Sequence, residues 1–224
     1  MTNRDNTFRV VAIVGLVIGV MGLTIGFAAF SQTLTIKSAA DVTPASNVLD
    51  IVFSTSKTAK AAGTVTPTTT GTGVTADDAT IDAAGTTISG LKAHFTEPGQ
   101  TATYSFNVYN ASAYVAYLNS VTFATASGGD SFKKCTAGTG TTQSYVDGAC
   151  NGISVSVAVG DSTPYTRTST EGTVSSGINH SLAATTGEAV TVTITYAAGS
   201  SEADGDFTVA FGDIKLGYSS VQGS

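Results

Sequence analysis

Apolar and polar residues alternate with a period of two in several stretches after residue 30. In each stretch one parity is apolar and the other is polar, the pattern of a β-strand with one buried face. The clearest runs lie at residues 30–36, 49–53, 104–109, 153–159 and 191–196. Because no long segment with period 3.6 follows residue 30, the pattern predicts an all-β fold of two packed antiparallel sheets, a β-sandwich.

Two features interrupt this regular pattern. In the last run, FTVAFGDIKLGY, the apolar positions change parity at Gly212-Asp213, which predicts a β-bulge. Residues 57–87 are rich in Gly, Thr and Ala and predict a long loop or a weak hairpin insertion. Neither flank of that stretch has a complete set of strands, so we expect one sandwich domain over residues 48–224. A brief helical turn is compatible with residues 111–118.

The first thirty residues have the pattern of an export signal. Arg4 and Arg9 precede an uncharged segment, residues 10–30, that is long enough to cross a bilayer as a helix. Its end satisfies the small-x-small rule of signal peptidase, with cleavage between Ala28 and Ala29. We interpret residues 1–28 as a cleaved signal peptide; a retained anchor helix and a pilin-like helix are the alternatives.

A chain cut at this point begins with a free strand. Phe30, Leu34 and Ile36 share one parity with Gln32, while the other parity is polar. The small residues that follow, with Pro44, lack the tight turn that would fold the strand onto its neighbour. Residues 29–47 are therefore interpreted as an N-terminal strand and a linker, and the strand is free to pair with a strand that is remote from it. The alternative is an ordinary edge strand within the same chain.

Composition narrows the range of functions. Only 12% of the residues are charged, below the roughly 25% of ordinary soluble domains. The formal net charge is −6, with the basic residues scattered along the chain. A nucleic-acid surface or a surface for anionic lipid needs clustered Lys and Arg, so neither partner is expected.

The two cysteines enclose a polar loop. Cys135 and Cys150 have no second cysteine pair and no histidine nearby, so their spacing does not resemble a metal site. In an exported protein we expect a disulfide between them, worth about 3 kcal/mol in the chain-entropy model. Two unrelated free thiols are the alternative.

Candidate catalytic groups are few. His94 and His180 stand apart in the sequence, outside any zinc spacing, and are expected to be solvated surface histidines. No nucleophile elbow, Walker loop or dinucleotide fingerprint occurs. We expect no enzymatic activity and no cofactor. Glu202, Asp204 and Asp206 are weak calcium candidates, and a plain hairpin turn with solvated acids is the favoured alternative.

Two acceptor sequons for N-glycosylation occur. They start at Asn110 and Asn179, and a glycan would require surface positions.

Several sequence blocks together resemble a known family. The junction GFAAF, the block VTPASNVLDIVFS, the block ISGLKAHFTEPGQTATYSFNVYNASAYVAYL and the terminal FTVAFGDIKLGY are similar to the TasA/camelysin family of exported biofilm-matrix fibre proteins, whose precursors carry a SipW-type signal sequence. The most specific parts are the GFAAF junction and the Pro98-Gly99-Gln100 turn that leads into a strand ending in Asn110. The resemblance covers most of the chain after the signal in outline.

The resemblance implies a fold and a function. Its members are jelly-roll sandwiches that assemble by donor-strand complementation, in which the N-terminal segment of one subunit completes a sheet of the next. By this interpretation Phe30, Gln32, Leu34 and Ile36 form the polymerisation strand of a secreted fibre subunit whose partner is a copy of itself. The alternatives are a monomeric, membrane-anchored adhesion module at the cell surface and, ranked last, a surface hydrolase.

Overall fold

The computed structural model describes residues 31–36, 49–128, 131–168, 171–176, 178 and 180–222. The predicted signal peptide with its cleavage at Ala28-Ala29, the polymerisation residue Phe30, the linker after residue 36 and the sequon residue Asn179 lie outside the described residues.

Within these ranges the chain forms eighteen strands and one helix, so the prediction of a mostly β protein is confirmed. The elements are, in chain order, β1 (Ser31–Ile36), β2 (Ile51–Ser54), β3 (Gly63–Val65), β4 (Thr68–Thr70), β5 (Thr75–Asp77), β6 (Ala79–Ile81), β7 (Thr87–Ser89), β8 (Lys92–His94), β9 (Thr101–Asn110), β10 (Ala116–Phe123), β11 (Lys133–Ala137), α1 (Gln143–Asn151), β12 (Ile153–Val159), β13 (Tyr165–Arg167), β14 (Gly172–Val174), β15 (His180–Leu182), β16 (Gly187–Tyr196), β17 (Phe207–Phe211) and β18 (Ile214–Ser219).

Two larger sheets carry most of these strands. The first has the order β14-β10-β18-β1-β7-β6-β3, with β15 also paired to β10. The second has the order β13-β12-β16-β9-β2, with β4 also paired to β9. Two smaller sheets consist of β11 with β17 and of β5 with β8. Pairing is antiparallel except between β1 and β7, which run parallel.

One hydrophobic core joins the two larger sheets. The predicted alternation is confirmed most clearly in β12, whose odd-numbered residues are buried and whose even-numbered residues are partly exposed. The long strands β9 and β16 of the same sheet also alternate. From the first sheet, β10 and β18 add Leu118, Phe123, Leu216 and Tyr218 to the same cluster. Burial of these apolar faces, at roughly 25 cal/mol per Å², is the main force that holds the sheets together.

The predicted β-bulge at Gly212-Asp213 is wrong. At this point the chain leaves β17, which pairs with β11, and enters β18, which pairs with β10 and β1. The corner is tight, because a Cβ at Gly212 would lie 1.8 Å from the carbonyl oxygen of Ala124. The parity change therefore marks a crossing between sheets. The register shift of the first sheet lies in β10 instead, between Leu118 and Ser120.

Local predictions for two other segments can be compared with the structure. The Gly- and Thr-rich stretch that starts at residue 57 carries several strands of three residues, with β3 and β6 paired antiparallel, so it matches the predicted hairpin insertion and not the long loop. No helical turn forms at residues 111–118, where a bend leads into β10. The helix α1 lies inside the disulfide loop, where none was predicted. No helix of the described residues is long and apolar enough to cross a membrane.

Candidate functional site

The N-terminal strand β1 occupies a groove between two strands of the first sheet. On one side it pairs with β18 along its whole length, and on the other it pairs with β7 at its C-terminal end. Strand β18 is the last of the described strands, and β7 begins at the end of the Gly- and Thr-rich stretch. Among the described strands, only Thr35 and Ile36 have strand partners on both sides, and residues 31–34 pair with β18 alone. All of these partners belong to the same chain, as in the alternative interpretation.

On one side of the groove, the core-facing positions of β18 stand opposite the positions of β1 that are mostly apolar in the sequence. Positions 32, 34 and 36 stand opposite Tyr218, Leu216 and Ile214 in the antiparallel ladder. These three side chains are at most 4% exposed. Residues directly opposite each other in such a pair share one face of the sheet. The register therefore pairs positions 32, 34 and 36 of β1 with the buried positions of β18.

The opposite wall is held in place by a tight turn before β7. The Oδ1 of Asp82 accepts hydrogen bonds from the backbone N–H groups of Thr86 (2.8 Å) and Thr87 (3.2 Å). Gly85 has a φ of +71°, and its carbonyl accepts a 2.6 Å hydrogen bond from Phe53 of the second sheet. A side chain at Gly85 would collide with Val52. The turn thus ties this wall to the sheet across the core.

The end of the groove near Ser31 contains a buried polar group. The ring of Tyr218 is 1% exposed, and its hydroxyl has no hydrogen-bond partner among the described residues. Burial raises the pKa of Tyr218, and the charge of Glu188 adds to the shift. The residue opposite Tyr218 is Gln32. Gln32, the polar residue among the otherwise apolar positions of β1, is therefore in register with Tyr218 of β18.

A histidine and a glutamate form a pair near this end of the groove. The Nε2 of His180 is hydrogen-bonded to the Oε2 of Glu188, and the His180 side chain is 16% exposed. The prediction of a solvated surface histidine is therefore wrong for His180. His94 is half exposed and lies 3.8 Å from Asp77, as expected for a surface group.

The weak calcium candidates do not form a cluster. Within the described ranges, no group of three His, Cys, Asp or Glu side chains is arranged to hold a metal ion. Asp204 Oδ1 accepts a 3.0 Å hydrogen bond from the N–H of Thr142, the residue before α1, and this bond lowers the pKa of Asp204. The Asp206 carbonyl accepts from Gly138 and Thr141. These residues fasten the start of the helix to the turn before β17.

The disulfide predicted between Cys135 and Cys150 is present. It links β11 to the end of α1. Beside it, Lys133 is only 7% exposed, and its Nζ donates to the carbonyls of Cys150 and Ile153. Burial lowers the pKa of Lys133 to about 8. Sequence reasoning missed this buried lysine, because nothing in KKC distinguishes it from the exposed Lys134.

The two polar residues that carry the family resemblance hold the ends of β9. Gln100 is 1% exposed; its Oε1 accepts from the N–H of Thr96 and its Nε2 donates to the carbonyl of Thr72, at 2.8 and 2.7 Å. Asn110 is fully buried, and its Nδ2 donates to the carbonyls of Tyr114, Leu182 and Ala183. Glycosylation of the sequon at Asn110 would require a surface position. The folded domain leaves no room for a glycan at Asn110.

Comparisons of the chain with protein-family models, with curated proteins and with solved structures gave no match. The interpretation of the groove therefore depends on its own geometry and on the sequence resemblance.

Proposed function

We propose that this protein is a secreted structural subunit of an extracellular biofilm-matrix fibre, of the TasA/camelysin type, with a jelly-roll sandwich. Its subunits join by donor-strand complementation: β1 of one copy fills the groove between β18 and β7 of the next. The observation that carries the proposal is that β1, which cleavage between Ala28 and Ala29 would leave at the N-terminus, lies between β18 and β7 in the first sheet.

The argument from this position concerns backbone hydrogen bonds. A groove without β1 would leave two open strand edges, and such edges are templates for another strand. The N-terminal strand of a second copy has the same sequence and offers the same partners to β18 and β7. Exchange of an identical element between copies is a low-cost route to assembly, and a head-to-tail contact that does not close gives a fibre.

The length of the connection also supports exchange. The twelve residues 37–48 separate β1 from Leu49, which begins the sandwich domain. At up to about 3.5 Å per residue, such a segment reaches roughly 40 Å, which exceeds the diameter of a small domain. The disulfide between Cys135 and Cys150 is a feature of proteins from oxidising compartments, which agrees with export.

A second candidate is the monomeric, membrane-anchored adhesion or binding module. It is favoured by one observation: the strands that flank β1 belong to the same chain. In that case residues 1–28 persist, and β1 stays in its own groove.

The test uses the chain that begins at Ala29, examined for filaments by negative-stain electron microscopy and sedimentation. The variant Leu34→Asp places a carboxylate opposite the fully buried Leu216 and should abolish filaments. Its matched control is Thr35→Asp, opposite Lys215, which should still assemble. Circular dichroism checks that both variants fold.

N-terminal sequencing of the native material separates the two candidates. Filaments whose subunits begin at Ala29 support the fibre. A chain that begins at Met1, stays with the membrane and forms no filaments supports the anchored module and overturns the proposal. Filaments that form equally well with Leu34→Asp would show that assembly does not use this strand.

A further inference from the structure

The C-terminal end of α1 lies against a buried amine. Lys133 of β11 is 7% exposed, and its Nζ donates to the carbonyl of Cys150 in α1 and to that of Ile153 in β12. The last four carbonyls of a helix have no partner within the helix, and a cation is favourable at this end. Lys133 therefore binds the end of α1, and the helix end covers its ammonium.

Few buried contacts hold α1 in this position. The helix has nine residues, a length at which isolated helices are marginally stable in water. Thr142 at its N-cap makes no side-chain capping bond, and Gly148 lowers its helix propensity. Of its nine residues only Val146 and Ala149 are buried, and the hydrogen bond from Thr142 to Asp204 is exposed. The position of α1 therefore depends strongly on its covalent link to β11.

The disulfide is that covalent link. Cys135 is two positions from Lys133 in β11, so both lie on the same face of the strand, and the exposed Lys134 lies on the other. The bond holds the Cα atoms of Cys135 and Cys150 6.1 Å apart. While it is intact, Cys150 stays beside Lys133 even when the preceding turns of the helix open. Both cysteines are partly exposed, whereas the amine that they flank is buried.

We propose that α1 is a lid over the Lys133 amine and that the disulfide locks this lid. Reduction frees the last turn of α1 and exposes the amine, while the two larger sheets stay folded. In this step a dithiol gives two electrons and two protons to the S–S bond; both cysteines become thiols, and the dithiol closes to a cyclic disulfide. The proposal does not depend on fibre assembly, because neither β11 nor α1 belongs to the groove around β1.

Chain entropy limits the size of the effect. The two cysteines are 15 residues apart in the sequence. In the chain-entropy model, release of such a loop changes an equilibrium constant by up to about 150-fold. After reduction the segment is still tethered at Ile153, where β12 begins, so the increase in lid opening stays below this limit. We expect an increase of roughly tenfold or more.

The test measures acetylation of lysine amines in the folded chain that begins at Ala29. A short pulse of a water-soluble active ester of acetic acid is applied at neutral pH before and after treatment with a dithiol. Peptide mass mapping gives the rate at each lysine. Lys134, the exposed neighbour on the same strand, is the matched control within each molecule. The double variant Cys135→Ser/Cys150→Ser removes the covalent link without a reductant.

Hydrogen exchange of the same samples, measured by mass spectrometry, separates local from global opening. Strand β16 has neighbours on both sides in its sheet, so its amides exchange when the sandwich itself opens. The amides of residues 143–151 report the opening of α1.

Both reduction and the double variant should raise the acetylation rate of Lys133 relative to Lys134 by roughly tenfold or more. Exchange in α1 should accelerate, and exchange in β16 should not change. A constant ratio of Lys133 to Lys134 would show that packing alone covers the amine and would overturn the proposal. Equal acceleration of exchange in α1 and β16 would overturn it as well, because the domain would then open as one unit.

Discussion

Because Lys133 is buried, we predict that its deprotonation raises the free energy of unfolding at alkaline pH. Its ammonium lies beside the disulfide, where it donates to two backbone carbonyls near the end of α1, one of them that of Ile153 at 2.5 Å. Burial nevertheless lowers its pKa from 10.5 to about 8. A neutral amine keeps N–H donors for both carbonyls, so deprotonation removes the charge without breaking the contacts.

The magnitude follows from linkage between protonation and folding. Between pH 8 and 10.5 the unfolded chain binds a proton at this lysine that the folded chain has lost, so stability rises with pH in this window. The difference between 10.5 and about 8, at about 1.4 kcal/mol for each pH unit, amounts to about 3 kcal/mol. Below pH 8 and above pH 10.5 this residue does not change the slope of the free energy of unfolding against pH.

The assay is urea unfolding of the native protein and two variants between pH 7 and 10.5. Lys133→Met removes the group, and Lys134→Met is the matched control because Lys134 is exposed. The free energy of unfolding of the native protein should rise by about 3 kcal/mol relative to Lys133→Met across this range. Lys134→Met should follow the native protein. Other lysines and tyrosines titrate equally in all three proteins and cancel in the difference.

Two outcomes would refute the reasoning. Parallel curves for the native protein and Lys133→Met would show that Lys133 titrates normally and that burial does not control its charge. A native curve that falls relative to Lys133→Met would mean that the two carbonyls stabilise the ammonium by more than burial costs.

The remaining predictions use the same unfolding measurement at neutral pH. Tyr104→Phe should lower the free energy of unfolding by about 1–3 kcal/mol, because the buried hydroxyl accepts from the N–H of Lys92 and donates to a neighbouring carbonyl. Asn110→Asp should lower it by about 2–4 kcal/mol, because a carboxylate would face three carbonyls. Reduction of the disulfide should lower it by about 3 kcal/mol. Tyr218→Phe should raise it by about 1 kcal/mol, because the lost hydroxyl has no partner among the described residues.

Controls for these variants come from the same strands. Tyr109→Phe changes a half-buried side chain of β9 and should have an effect below about 0.5 kcal/mol. Asn107→Asp replaces a long hydrogen bond, 3.4 Å from Nδ2 to the carbonyl of Ser54, and should lower the free energy of unfolding by less than about 1 kcal/mol. Equal effects of Asn110→Asp and Asn107→Asp would contradict the role assigned to the buried amide. Loss of stability in Tyr218→Phe would show that the hydroxyl has a partner, and the residue opposite it, Gln32, would be the first to examine.

The features that could be predicted from the sequence are those with a local cause. The alternation in β12 marks which residues face the core, because successive side chains of a strand point to opposite sides. The parity change at Gly212-Asp213 correctly located an irregularity, but a bulge and a crossing between sheets give the same pattern. The helix α1 was missed because its sequence, QSYVDGACN, is short and polar, and it depends on the disulfide and on Asp204 for its position.

The sequence by itself determined the all-β character and the alternation of apolar and polar positions in the strands, and it predicted the disulfide with two free thiols as the alternative. Only the tertiary structure decided that β1 lies between β18 and β7, that Tyr218 stands opposite Gln32, and that Lys133 and Asn110 are buried. The physical reason is that side-chain alternation specifies which face of a strand is buried, whereas backbone hydrogen bonds are the same for every strand. The choice of partner is therefore made by the packing of the whole chain.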